Sequence, residues 1–249
     1  MDIVNSLHLT THGIIWRVID SLYPPLCIGC GRVGFEICPS CQQKIDTIGF
    51  DEICFFCGNF LEDRNKKHNC RNKKESSLTE IRTFGYYTGL LKKIIRDFKF
   101  NRRIAIIRDL TPQLKSYFLQ WIPEIDLISP VPLTNQRKKQ RGYNQSAILG
   151  KTIATLLRKD YSEKAIHRIR ETHTQVGLNF QERTENVKGA FEADETVVKG
   201  KSILLIDDIT TTGSTLNECA KAFLQSGAKE VVGFTLARAK FNGMNYRKE

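Results

Sequence analysis

Apolar positions in the first two dozen residues recur at helical spacing, with Ile14, Ile15, Val18, Ile19 and Leu22 on one face. Residues 12–22 therefore read as a short amphipathic helix, which Pro24-Pro25 stops. Such a stripe serves either as a lid packed on the body or as a docking face for a membrane or partner. From 27 to 75 long apolar runs vanish and cysteines crowd in, until the polar run Arg71-Asn72-Lys73-Lys74-Glu75-Ser76-Ser77 reads as a linker. Beyond it, a strand is predicted over Arg82 to Tyr87, helices over 89–100 and 104–120, and a strand from Ile125 to Ser129 that runs into Pro130-Val131-Pro132. A helix over 144–158 follows, then a polar, weakly patterned stretch at 171–190. The last unit has the sharpest pattern: strand Ser202 to Ile206, a polar turn, helix 213–226 and strand Glu230 to Leu236. Strands alternating with helices predict an α/β fold with a mostly parallel sheet. The boundaries divide the chain into an N-terminal helix (1–26), a cysteine-rich module (27–75) and one α/β domain (76–249).

A length of 249 residues fits one ordinary α/β domain plus a small appendage, and 41% hydrophobic with 26% charged residues excludes wholesale disorder. Of 38 basic and 27 acidic residues, the first 75 positions hold nine of each, so the net +11 belongs entirely to residues 76–249. Seven of the eight cysteines fall between Cys27 and Cys70, and Cys219 stands alone on the apolar side of its helix as a small hydrophobe. Paired CxxC spacing without an export signal favours metal thiolates in a reducing compartment, and a cytoplasmic location is expected. The N-terminus has no basic n-region, and no apolar run approaches the ~20 residues that span a bilayer.

The chemistry concentrates in Ile203-Leu204-Leu205-Ile206-Asp207-Asp208-Ile209-Thr210-Thr211-Thr212-Gly213-Ser214-Thr215. Four apolar residues make a strand buried on both faces, which delivers Asp207 and Asp208 to its carboxyl end, where open α/β sheets bind ligands. Adjacent carboxylates suit a ribose diol or Mg²⁺. The hydroxyl-rich turn enters a helix through Gly213, whose free N–H groups and dipole form an anion cradle. A phosphate one sugar length from two carboxylates suggests a pentose 5-phosphate.

This stretch resembles the 5-phosphoribosyl 1-diphosphate (PRPP) motif of type I phosphoribosyltransferases, in which two acidic residues precede a TTGxT-like loop. Residues 130–145 (PVPLTNQRKKQRGYNQ), the set Thr174, Gln175, Leu178, Arg183, Asn186, Gly189 and Phe191, and the positions Tyr87, Gly89, Lys99 and Phe100 further resemble the ComF family. These are competence-associated, phosphoribosyltransferase-like proteins needed for DNA uptake in bacteria. The resemblance implies a type I phosphoribosyltransferase fold behind a small N-terminal zinc module. It implies that Asp207 and Asp208 hold ribose hydroxyls and the Mg²⁺ that accompanies PRPP, and that Thr210, Thr211, Thr212, Gly213, Ser214 and Thr215 hold the 5-phosphate. Pyrophosphate falls to Ser129 to Leu133, Val131 among them, and to Arg141. The stretch 171–190 becomes a mobile hood that makes Arg183 an oxyanion partner, so catalysis, if it occurs, falls to Asp207, Asp208 and Arg183. Three functions follow: a DNA-uptake factor that binds single-stranded DNA and PRPP, a metabolic phosphoribosyltransferase acting on a nitrogen acceptor, or a PRPP sensor without chemistry. Channel or helicase proteins at the inner membrane face are implied partners of the first.

Cys27-x2-Cys30-Gly31 and Cys54-x2-Cys57-Gly58 have zinc-knuckle spacing, and Cys38-Pro39-Ser40-Cys41 adds a pair. Cys27, Cys30, Cys38 and Cys41 can complete one structural zinc site, which a segment so poor in apolar residues needs as a staple. Cross-bracing of Cys27/Cys30 with Cys54/Cys57 stays open, as does a redox role for the pairs. Where the ComF family usually offers a fourth CxxC this chain has Cys70 alone, so a second zinc would use Cys54, Cys57, His68 and Cys70.

Between Lys92 and Arg108 seven cations (Lys92, Lys93, Arg96, Lys99, Arg102, Arg103, Arg108) face one anion, Asp97. With Arg137, Lys138 and Lys139 they form a candidate nucleic-acid footprint, although acidic lipid would use the same charge. Phe98 and Phe100 either stack on bases between these cations or belong to the core.

Overall fold

The computed structural model describes residues 24–50, 52, 54, 76–121, 124–171 and 180–239. The expected helix at 12–22 lies outside these residues. A single turn, α1 (Pro39–Gln42), follows the first cysteine pair. The α/β body then runs β1 (Glu80–Tyr86), α2 (Gly89–Phe100), α3 (Ile106–Gln120), β2 (Leu127–Pro130), α4 (Asn135–Arg141), α5 (Gln145–Leu157) and β3 (Asp160–Tyr161). After it come β4 (Ile166–Arg168), α6 (Phe180–Val187), β5 (Phe191–Ala193), α7 (Glu195–Val198), β6 (Ser202–Thr210), α8 (Ser214–Gln225) and β7 (Glu230–Arg238).

Five strands form one sheet in the order β1-β7-β6-β2-β3, and every neighbouring pair is parallel. The path from β2 through α5 to β3 leaves toward one edge, whereas β6 continues through α8 to β7 toward the other. Strands β6 and β2 are therefore adjacent at a topological switch point, where a crevice opens beyond the carboxyl ends. Side chains of β6 alternate between two cores. Leu204 and Ile206 join Leu149 and Ile153 of α5 and Ile94 and Phe98 of α2 on one face. Ile203 and Leu205 join Leu216, Cys219 and Phe223 of α8 on the other.

The apolar period locates the seven elements β1, α2, α3, β2, α5, α8 and β7 to within three residues and leaves the short α1, β3, β4, β5 and α7 unmarked, and the larger departures have physical causes. Strand β6 continues past Ile206 because its backbone still pairs with β7 as far as Thr210 with Arg238, and polar side chains do not end a ladder. Helix α4 lies inside the basic run and buries none of its residues, so no apolar period marks it; Thr134 caps it by accepting from the Arg137 N–H. The weakly patterned 171–190 holds α6, which packs on α8, as does a small antiparallel pair of β4 with β5.

The cysteine turn is built into the body. Cys27, Ile37, Cys38, Cys41 and Ile45 belong to the same apolar cluster as α2 and α3. Asp109, in the first turn of α3, accepts from the Glu36 and Ile37 N–H groups at 2.8 and 2.9 Å. Arg103 donates to the Leu26 carbonyl, pairs with Glu36 and reaches Asp97. Asp109→Ala strands two amide donors, and it should lower stability to urea by about 2 kcal/mol. A loss under about 0.5 kcal/mol, the usual size for a surface change, would mean that the clasp does not hold the module.

Candidate functional site

Alternation along β6 continues through the acidic pair, so Asp207 and Asp208 leave the strand toward opposite faces. Asp207, half-buried, accepts from Ser146 Oγ at 2.9 Å and from the Asp208 N–H at 2.8 Å. Burial first, and the charge of Asp208 second, push its carboxyl up to about 7. Asp208 is buried and bonds Lys99 Nζ at 2.8 Å. Sequence reasoning placed Lys99 with the nucleic-acid contacts; its ammonium lies in the acid site, because the last turn of α2 ends beside β6.

The turn that follows is lined with hydroxyls and leads into a helix. Gly213 sits at φ +81°, a left-handed conformation that suits glycine, and starts α8. Thr212 Oγ1 and Ser214 Oγ lie 2.8 Å apart, and Thr184 Oγ1 reaches Ser214 Oγ at 2.9 Å. Arg183 donates from Nη1 to Thr211 Oγ1 at 2.9 Å, so α6 hangs over the loop. Thr210, Thr215 and their neighbours line one recess with Asp207.

On the β2 side, Val131 is buried and its N–H is committed to the Ile206 carbonyl. Arg141, half-buried, bonds Gln145 Oε1 at 2.9 Å and lies in electrostatic range of Asp208 and Asp207. Arg168, which the sequence did not flag, contacts the Pro132 carbonyl at 3.5 Å, packs on the Phe191 ring and feels the charge of Asp207. Ser146 also escaped notice, since a serine at a helix start reads as an ordinary cap. Ser129 Oγ and Gln145 Nε2 are buried with no hydrogen-bond partner among the described residues.

Two basic segments meet beside this crevice. The Arg141 guanidinium lies 5.2 Å from the Phe100 ring, and a Cβ at Gly142 would touch Arg102. Lys92, Lys93, Arg96, Arg102, Lys138 and Lys139 are exposed, Arg137 is half-buried, and Arg103 is engaged in the clasp to the cysteine turn. Phe98 is fully buried and belongs to the core, which removes it from any stacking surface; Phe100 is 65% exposed.

The Cys27, Cys30, Cys38 and Cys41 sulfurs all lie within 4.8 Å of one another, a spacing that suits one tetrahedral ion with Zn–S bonds near ~2.3 Å. Gly31, at φ +75°, closes the first knuckle. Burial alone would raise the Cys27 thiol, but N–H groups of Cys38, Cys30 and Gly29 outweigh it and bring the thiol down to about 6. Cys54 is buried outside this cluster; Cys57, His68 and Cys70 lie outside the described residues.

A parallel sheet with a hydroxyl-lined turn at its switch point, joined to a four-cysteine ribbon, defines a phosphoribosyltransferase-fold protein with a structural metal module. Family models agree: residues 18–72 match a double zinc ribbon domain and residues 145–244 a phosphoribosyl transferase domain. Competence protein F of Haemophilus influenzae is 32% identical over 215 residues, which cover 82% of this chain and 90% of that protein. DNA utilization protein YhgH of Escherichia coli is 30% identical over 237 residues (92% and 99%), and competence protein ComFC of Bacillus subtilis 27% over 240 (91% and 90%). The chain belongs to the ComF family of competence proteins. Among solved structures, the allosteric regulatory enzyme of purine biosynthesis is 20% identical with a TM-score of 0.35, over 49% of this chain and 24% of that one. No helix among the described residues is long and apolar enough to cross a membrane.

Cys27→Ser with Cys30→Ser should remove one zinc per chain by elemental analysis and lower thermal stability. Unchanged metal content would contradict the four-thiolate site. The Asp207 carboxyl adds a pH signature. Its folded value stands near 7, above its ordinary 3.8, so the stability it contributes is complete below 3.8 and is lost as pH rises through 7. Asp207→Asn should flatten that fall in unfolding free energy between about pH 4 and 7; an unaltered slope would place its cause elsewhere.

Proposed function

We propose that the chain handles incoming single-stranded DNA in natural transformation and binds PRPP on its phosphoribosyltransferase-like domain. The observation that carries the reading is the union of two surfaces: a sugar-phosphate crevice at the β6/β2 switch point, and a continuous set of exposed cations on α2 and α4 at its rim. Arg183 bonded to Thr211 supports a 5-phosphate seat under the hood. Buried Ser129 Oγ and Gln145 Nε2 leave polar groups that a diphosphate or ribose oxygen would satisfy. Asp207 and Asp208 would take ribose hydroxyls, with Mg²⁺ brought by PRPP.

A groove of about 330 Å³ between Ile28 of the first knuckle and Lys93, Arg96, Asp97 and Arg103 extends the basic surface onto the ribbon. Lys92, Lys93, Arg96, Arg102, Lys138 and Lys139 would follow phosphates while Phe100 offers a ring to bases. The names of the relatives, competence and DNA utilization, support this assignment. Work at the cytoplasmic face of the inner membrane, beside channel or helicase proteins, fits the same role. The prepared phosphate turn also favours a second reading, active phosphoribosyl transfer, in which the carboxylates and Arg183 stabilise a charge-developing transition state. Pyrophosphate release over a panel of bases and amines separates the two.

Affinity for an oligonucleotide of arbitrary sequence should fall with salt at about −0.7 in log K per phosphate contacted. Lys92→Ala with Lys93→Ala and Arg96→Ala should flatten that slope. Failure to bind single strands at low salt would overturn the DNA role. Asp207→Ala with Asp208→Ala should weaken PRPP binding at least about tenfold and leave zinc in place; equal PRPP affinity would overturn the site.

A further inference from the structure

We infer that the β6 crevice also seats the 5′-phosphorylated end of a DNA single strand, which then runs along α2 from Lys99 toward Lys92. The inference rests on the reading of that crevice as a pentose 5-phosphate site and names a second ligand for it.

A terminal deoxynucleotide with a 5′-phosphate presents to the turn the same group as any pentose 5-phosphate. There Ser214 Oγ lies 2.8 Å from Thr212 Oγ1 and 2.9 Å from Thr184 Oγ1, a cluster of hydroxyls that phosphate oxygens would share. Ser129 Oγ and Gln145 Nε2, buried without a hydrogen-bond partner among the described residues, mark the β2 side of the crevice as a seat for a polar ligand. The two ligands diverge one sugar further on. A free pentose phosphate offers hydroxyls to the acid pair, whereas a strand continues in a phosphodiester that bare carboxylates would repel. Here the carboxylates are not bare: Lys99 Nζ bonds Asp208 Oδ1 at 2.8 Å, Arg141 feels both acids and Arg168 feels Asp207. Three cations answer two acids, so the second phosphate meets positive charge.

The path onward is laid out on one helix face. Lys92, Arg96 and Lys99 stand at i, i+4 and i+7 of α2, with about 5–6 Å from each to the next. Lys99 lies at the acid pair, and Lys92 and Arg96 are exposed. Tyr87, directly after β1, ties the three together: its phenol feels the charges of Arg96 and Asp208, and Lys92 Nζ lies 6.0 Å from its ring. The one acid of the helix, Asp97, is bonded to Arg103 at 3.3 Å and so does not oppose a polyanion. A strand leaving the turn thus finds a cation at each step outward, with a half-buried ring beside them for a base. The arrangement has a polarity, since the terminal phosphate alone enters the hydroxyl-lined turn.

The test uses the zinc-loaded full-length protein and fluorescence anisotropy of an internally labelled oligothymidylate bearing a 5′-phosphate, a 3′-phosphate or no terminal phosphate. The 5′-phosphorylated strand should bind at least about tenfold tighter than the other two. Excess PRPP should abolish that gain and leave the affinity of the unphosphorylated strand. Thr212→Val with Thr215→Val should lose the gain and hold the unphosphorylated strand within about twofold of wild type, whereas Lys92→Ala with Arg96→Ala should weaken all three alike. Equal affinity for the three forms, in a protein that binds both PRPP and single strands, overturns the end seat alone. A gain that survives both PRPP and the turn variant places the end elsewhere and overturns the assignment. Thymidine 5′-monophosphate binding as tightly as the 5′-phosphorylated strand also overturns it, because the strand beyond the first sugar then contributes nothing. A gain lost in the turn variant of a protein that does not bind PRPP supports the end seat and overturns PRPP as the ligand. No binding of any strand at low salt overturns the DNA reading and the end seat together.

Discussion

A central strand buried on both faces must send alternate side chains into two separate cores, and the site inherits that alternation. Ile203 to Ile206 obey it with apolar groups; Asp207 and Asp208 obey it with charges. Two carboxylates at the edge of a dry layer need partners, and because they face different ways the partners come from different elements. Ser146 at the start of α5 serves Asp207, and Lys99 at the end of α2 serves Asp208. The crevice thus recruits donors from several elements around the sheet, and its electrostatics depend on where those elements end.

Helix α2 carries three duties on one cylinder. Leu91, Ile94, Ile95 and Phe98 hold it in the core, Lys99 enters the acid site, and Lys92, Lys93 and Arg96 face outward. The cysteine ribbon presses on the neighbourhood of this helix through Arg103 and on α3 through Asp109. A metal held by the four thiolates would stiffen the wall opposite the basic face, so the module contributes to a surface as well as to stability. Cys27, Cys38 and Cys41 share a core cluster with α2 and α3, which makes the ribbon part of the body.

Much of this was legible in the sequence. The apolar run before Asp207-Asp208 marks a doubly buried strand, the hydroxyl-rich turn with Gly213 marks a tight entry into a helix, and CxxC spacing marks a thiolate cluster. Each signal is local: strand period, turn chemistry and ligand spacing are set within a dozen residues. The order of the parallel sheet, the split of the two carboxylates across it, and the entry of Lys99 were decided by tertiary structure. Lys99 sits among seven cations that look alike in one dimension, and what separates it from Lys92 and Arg96 is the end of a helix meeting the end of a strand more than a hundred residues away. The meeting of Phe100 with Arg141 and the caging of Arg168 have the same origin. Residue type and spacing carry the chemistry that a segment can perform, whereas the choice of which charges neutralise each other depends on burial, and burial belongs to the packed layers.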